Sequence, residues 1–280
     1  MKAAERISVS ADCKIRRICP VITIIVRAAD GAVLATAEHP EEAWLSVDRV
    51  YQPGDRILIS GPAHLSVQMD QALPAGEVFL PLGRMTWTVP AGEHRLAYAP
   101  GTFEAPRHII RVSVVPEHCL RVSRNLALNP ADLRGDTDFF PHCTANVETR
   151  GEACFCARNV IDGIRLNTFH GEWPFQSWGI GAREDAWCRL DLGRTVIAEK
   201  MALTLRADFP HDAYWTKGCV VLSDGSCLSF DLRKTGDRQW ISLEGRRISW
   251  LRLERLVKSD DPSAFPALTQ WEVFGADLPE

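Results

Sequence analysis

The side chains with chemistry to offer gather in three stretches of the second half of the chain: His170 to Trp178, Arg206 to Trp215 and Lys258 to Pro266. Each stretch sets aromatic rings among carboxylates, imidazoles and cations. A sugar presents C–H faces that pack on rings and hydroxyls that pair with charged, planar partners, so this mixture suits a carbohydrate. The candidate ligand-binding residues are His170, Glu172, Trp173, Arg206, Asp208, His211, Asp212, Trp215 and Asp260. Trp173 and Trp215 are the expected stacking platforms, because they stand among polar loop residues. The competing reading makes these segments lids over the end of a sandwich, with Asp before Pro serving only turn chemistry. Arg150, between Glu148 and Glu152, either forks a hydroxyl pair or carboxylate of the ligand or closes an internal ion pair. A protein partner would use the same loops, with the aromatics as anchors.

Catalytic signatures are weak. Glycoside hydrolysis needs two carboxylates held apart in pKa; Glu172, Asp208, Asp212 and Asp260, with His170 or His211, are the only set offered. No nucleophile elbow, phosphate loop, dinucleotide fingerprint or zincin motif occurs. The leading expectation is therefore a non-catalytic carbohydrate-binding protein, the alternatives an interaction module or a glycoside-active enzyme.

These loops need a β scaffold. Val21 to Val26 is β-branched almost throughout, Asp30-Gly31 turns the chain into Ala32 to Thr36, and strand-like runs recur at roughly 8 to 12 residue intervals through the first 120 positions. The second half shows the same alternation. Cys219 to Ser223 and Ser226 to Phe230 flank Asp224-Gly225, which predicts a hairpin with a type I′ turn, and Ile248 to Leu253 alternates apolar with polar. Alternation also points Trp187, Trp240, Trp250 and Trp271 toward a core. At 280 residues the chain lies near the size at which one core divides, roughly 250 to 300 residues, so two domains are expected, 1–120 and 121–280. The fold class is all-β, two β-sandwich domains.

A formal charge of −4 gives no cationic field for nucleic acid or an anionic membrane. The longest apolar run, Val21 to Val26, is far short of the roughly 20 residues that span a bilayer, and the first ten residues hold no apolar signal core. Nine cysteines with no C-x-x-C pair predict neither a disulfide framework nor a zinc knuckle. Cys154 and Cys156 are expected as buried small hydrophobes sharing one face of a strand. A reducing, cytoplasmic location follows.

From about residue 124 to 275 the landmarks Asn125-Leu126-Ala127, Ala157 to Gly163, Trp187 to Gly193 and Leu268 to Gly275 resemble, in order and spacing, the discoidin or coagulation-factor type C family of galactose-binding-like jelly rolls. The resemblance implies an eight-stranded sandwich whose loops at one end bind sugars, or in some branches lipid or protein. It also implies a structural calcium, with Asp162, Asn167 or Thr168, and Glu272 as ligands. The family's Thr-x-Trp after the Asp-Gly landmark is replaced here by Asn167 to Trp173, which displaces Trp173 and lengthens the loop.

Overall fold

The computed structural model describes residues 21–168, 171, 173–206 and 213–278. Its regular structure is almost entirely strand, and the one α-helix, α1 (Glu117–Leu120), is a single turn. In the first half β1 (Ile22–Arg27), β2 (Val33–His39), β4 (Arg56–Ser60) and β7 (Arg84–Thr88) form one antiparallel sheet in the order β2-β1-β4-β7. The facing sheet has the order β3-β8-β5-β6, from β3 (Glu42–Val47), β5 (His64–Gln68), β6 (Gly76–Phe79) and β8 (His108–Val114). The period-two pattern decides what is buried: Ile22, Ile24, Val26, Ile57, Ile59, Leu65 and Val67 point inward and are at most 1% exposed.

The second half begins with β9 (Arg124–Asn125) and β10 (His142–Ala145), then β11 (Trp178–Gly179), β12 (Cys188–Leu205), β13 (Trp215–Leu222), β14 (Cys227–Asp231), β15 (Gln239–Lys258) and β16 (Ala267–Asp277). All eight belong to one hydrogen-bonded sheet. Two long strands let this sheet face itself. The first part of β12 pairs with β10 and with the last part of β15, whereas residues 196–205 pair with β16 and with the first part of β15. Both changes fall at register breaks between Asp191 and Val196, where bulges allow a strand to bend. Gly193 sits inside that break with φ +68°, and a Cβ there would collide with the ring of Phe140. Leu190, Leu192, Val196, Met201, Leu203, Val220, Leu251, Leu253, Trp271 and Val273 meet in the core so enclosed.

Both predicted Asp-Gly hairpins form, with a different turn. Asp224 and Asp30 keep negative φ, and only Gly225 (φ +87°) and Gly31 (φ +92°) are left-handed. Each loop has three residues, closed by Leu222 N–H to Ser226 O and by Ala28 N–H to Ala32 O, both 2.9 Å. The aspartate explains the choice: its carboxylate accepts the amide two residues on, from Ser226 or Ala32, which holds the type I geometry and leaves the left-handed position to glycine.

The same hairpin corrects the expectation of unpaired cysteines. Val221 pairs with Cys227, which puts Cys219 and Cys227 diagonally on one face, and they are joined by a disulfide. Cys154 and Cys156 are buried as expected, but within and just after a 3-10 turn, Ala153–Phe155, rather than on a strand. Trp240, expected in the core, is half exposed on the outer face of β15, against Phe274 and below the Lys200 ammonium.

The two halves share material. The core of the first sandwich is completed by Ala131, Phe139, Ala153 and Cys156 from the second half. Trp87 Nε1 donates to Ala131 O at 2.7 Å, Gln176 Nε2 to Leu96 O at 2.8 Å, and Arg124 Nε reaches Glu77 at 2.7 Å. Phe79 and Phe140 exchange backbone hydrogen bonds of 2.7 and 3.0 Å. No helix among the described residues is long and apolar enough to cross a membrane.

Candidate functional site

Backbone pairing draws four separate loops to one end of the second sandwich. Gly179 pairs with Ala267 across β11 and β16, Arg206 N–H donates to Ala267 O at 2.9 Å, and Ser259 N–H donates to Tyr214 O at 2.9 Å. Trp178 Nε1 donates to Val147 O at 2.9 Å and Gly181 N–H donates to Thr149 Oγ1 at 2.9 Å, which docks the 3-10 turn Thr149–Gly151 onto β11. At Gly179 the approach is so close that a Cβ would stand 2.5 Å from Thr149 Oγ1.

Two depressions result. The smaller is a cleft of about 130 Å³ lined by Thr149, Arg150, Phe155, Arg206, Phe265 and Pro266. The larger, about 530 Å³, lies on the other side of Pro266 and is lined by Ile180, Arg183, Glu184, Trp215, Leu256, Lys258 and Pro262 among others. Pro266 belongs to both walls.

In the cleft Phe265 is 51% exposed and Phe155 only 5%. The Phe155 ring meets Phe175 edge-on at 6.2 Å. The Arg206 guanidinium stands 6.0 Å from the centre of the Phe175 ring, with Nη1 3.5 Å from the Phe175 carbonyl oxygen. Arg150 adopts φ +54° and carries its guanidinium 5.5 Å from the Phe155 centroid. It donates in parallel to both oxygens of Glu152 at 2.6 and 2.8 Å, and this hydrogen bonding raises its pKa. Arg150 thus makes the internal ion pair and also faces the cleft; the two readings of its sequence context coexist. In the hollow, Arg183 is forked onto Asp185 and Lys258 Nζ donates to the carbonyl oxygen of Ser259 at 2.9 Å. Trp215 Nε1 is buried and has no hydrogen-bond partner among the described residues.

Of the residues expected to bind, Arg150 and Arg206 come together in the cleft and Trp215 forms part of the hollow's wall. Trp173 is 38% exposed, two residues before Phe175, and Asp260 is exposed on the loop that leads to Phe265. His170, Glu172, Asp208, His211 and Asp212 lie outside the described residues. Trp215 is the correction. It is 1% exposed, 6.2 Å from the Trp178 ring and part of the hydrophobic core, so it offers no open face for stacking. Strand β13 starts at Trp215, four residues before the apolar run that marks it in the sequence, and the first inward position falls on the indole. Phe155 and Phe265 line the cleft but were not among the residues expected to bind. Phe265 stood in view beside Pro266, whereas Phe155 lies between two cysteines and reads as interior.

The calcium set that the resemblance implies does not fit these residues. Both oxygens of Glu272 accept from Arg238, at 2.5 and 2.6 Å, so a guanidinium already neutralises that carboxylate. Asp162 is buried, and desolvation pushes its carboxyl up to about 7 against the pull of Arg158; its Oδ1 accepts from Ile164 N–H at 2.8 Å. The Asn167 amide is buried without a partner, and Thr168 directs its amide and hydroxyl at the Pro174 carbonyl. Calcium requires six to eight oxygens. No cluster of three His, Cys, Asp or Glu side chains suited to a metal exists among the described residues.

This fold and site define an all-β protein of two joined sandwiches with an aromatic and cationic cleft at one loop end. No family model matches the chain, and no curated protein matches it. Among solved structures it is similar to the lectin domain of lectinolysin complexed with Lewis B antigen, at 18% identity over 55% of this chain and 97% of that one, TM-score 0.42. It is similar to a Streptococcus pneumoniae fucose-binding module, at 14% identity over 55% and 96%, TM-score 0.40. It is also similar to an F-lectin from serum of striped bass, Morone saxatilis, at 16% identity over 85% and 84%, TM-score 0.41.

Proposed function

We propose that the chain is a non-catalytic carbohydrate-binding protein that holds a glycan at the loop end of its second sandwich. The observation that carries this reading is the meeting of Phe155, Phe265, Arg150 and Arg206 in one cleft, drawn from three separate loops. The exposed Phe265 ring takes the C–H face of a sugar, and the Arg150 guanidinium supplies donors to adjacent hydroxyls. A cleft of about 130 Å³ is below the usual size of ligand sites, about 300 Å³ upward, whereas the hollow of about 530 Å³ beyond Pro266 lies within it. The glycan therefore crosses the Pro266 ridge, one ring in the cleft and further residues in the hollow beside Arg183 and Lys258.

Catalysis finds less support. Glu152, two residues from Arg150, is tied to it by both oxygens, and glycoside chemistry needs a second carboxylate at a defined separation. The thiols of Cys119, Cys143, Cys154, Cys156 and Cys188 support a reducing, cytoplasmic location, which thiol labelling in intact cells tests against the Cys219–Cys227 bridge. The binding reading is tested on a glycan array with the wild-type chain and Phe265→Ala in parallel. Selective retention of a glycan set by the wild type, lost in the variant, is expected; equal profiles overturn it.

A further inference from the structure

A cavity of about 230 Å³ lies at the seam of the two sandwiches, separate from the loop-end cleft. The first half contributes Val89, Pro90, Ala91, His94, Ala97 and Tyr98 to its wall; Leu133, Arg134, Ala153, Cys156 and Arg158 come from the second. We propose that this seam is a second ligand site, for an uncharged, largely apolar small molecule of one or two fused rings with a single polar group.

The chemistry of the wall selects that class. Its buried and half-buried polar side chains are spent on the protein itself. Arg158 donates to the carbonyl oxygens of Asp132, Ala97 and Pro130 at 2.8, 3.0 and 2.9 Å. Tyr98 donates its hydroxyl to Asp132 O at 3.3 Å, the Cys156 thiol points at Ala153 O at 2.9 Å, and Arg134 is paired with Glu148 at 2.7 Å. Burial pushes the Cys156 thiol up to about 12, so it stays protonated and adds no charge. A polyol or an ion would surrender its water for few partners, which disfavours its entry. An apolar ring loses nothing by entering, and apolar cavities of this size take up small aromatic molecules. His94, exposed at the rim, makes no side-chain hydrogen bond among the described residues and can meet one polar group at the mouth.

The cavity also has a neighbour. Ala153 and Cys156 line it, while Phe155, between them, lines the glycan cleft, so one 3-10 turn is the wall between two sites.

The test uses the whole 280-residue chain and indole, a neutral bicyclic ring with one N–H donor. Saturating indole is expected to raise the melting temperature by about 3–6 °C through mass action on the folded state. Ala97→Leu fills the cavity from its floor and Ala91→Phe from its edge; the one that melts cooperatively without ligand is expected to show no indole shift. An unshifted wild type up to the solubility of indole, or a plugged variant that shifts as far as wild type, overturns the proposal. Crystals of the wild type soaked in indole decide independently of any variant: density between Pro90, Tyr98 and Leu133 supports the site, and its absence there overturns it.

Discussion

Arg158, from the second sandwich, lays its guanidinium over the ring of Tyr98 in the first, 4.5 Å from the centroid, while donating to the carbonyl oxygen of the preceding residue, Ala97. A fully desolvated cation is costly unless every donor is satisfied, and here three carbonyls and a ring face receive it. The price of removing it falls on both halves.

Arg158→Ala strands the carbonyl oxygens of Ala97 and Pro130 in the interior, while Asp132 O keeps the Tyr98 hydroxyl. An unsatisfied buried group costs about 1–3 kcal/mol, so the variant is expected to lose about 2 kcal/mol or more. Urea denaturation followed by tryptophan fluorescence measures it. Because Ala131, Phe139, Ala153 and Cys156 complete the first core, the wild type should unfold in one transition, and a chain starting at residue 121 should not reach its stability.

Phe265→Ala removes an aromatic group that is 51% exposed, so the fold should be retained with a melting temperature close to wild type. Glycan affinity is expected to fall by about 2 kcal/mol or more, as for an anchor at the centre of an interface. Calorimetry with the best glycan from an array reads the loss directly.

Trp215→Ala has the opposite character. Its ring is 1% exposed in the same core as Trp178 and Leu256, and large-to-small changes at such sites cost about 3–5 kcal/mol. A lowered denaturation midpoint is expected. A melting curve like wild type would show the core position to be mistaken.

Asp162 sets a pH dependence. Its carboxyl stands near 7 in the folded protein against an ordinary value of 3.8, chiefly because burial disfavours the anion. The folded state holds the proton more tightly, so the stabilising contribution is complete below about 3.8 and is lost as pH rises through about 7. Asp162→Asn keeps the acceptor for Ile164 N–H and stays neutral throughout. Relative to wild type, the variant should gain about 1–3 kcal/mol between pH 4 and pH 8. His64, lowered to about 4 by burial, titrates in both proteins and drops out of the difference.

Calcium is expected to leave the melting temperature unchanged after chelator treatment, because Arg238 already holds both oxygens of Glu272. A stabilisation by millimolar calcium that Glu272→Gln abolishes would overturn the misfit.

Local sequence decided the strands. The β-branched run at Ile22 to Val26, the Asp-Gly pairs at Asp30 and Asp224, and the alternation through Ile248 to Leu253 carry their own geometry, since side-chain period and turn chemistry act over a few residues. Arg150 and Arg206, which meet in the cleft, stood out as candidates because their loops mix charge with aromatics. What the tertiary structure alone decided depends on contacts distant in sequence. Whether Trp215 stacks on a ligand or fills a core rests on the register of β13 against Lys258, and Phe155 joins Phe265 in a cleft only because β11 pairs with β16. Arg158 read as part of a landmark, and its partners at Ala97 and Tyr98 are some sixty positions away. Periodicity records which face of a strand is apolar; which other face will cover it is fixed only when the sheets close.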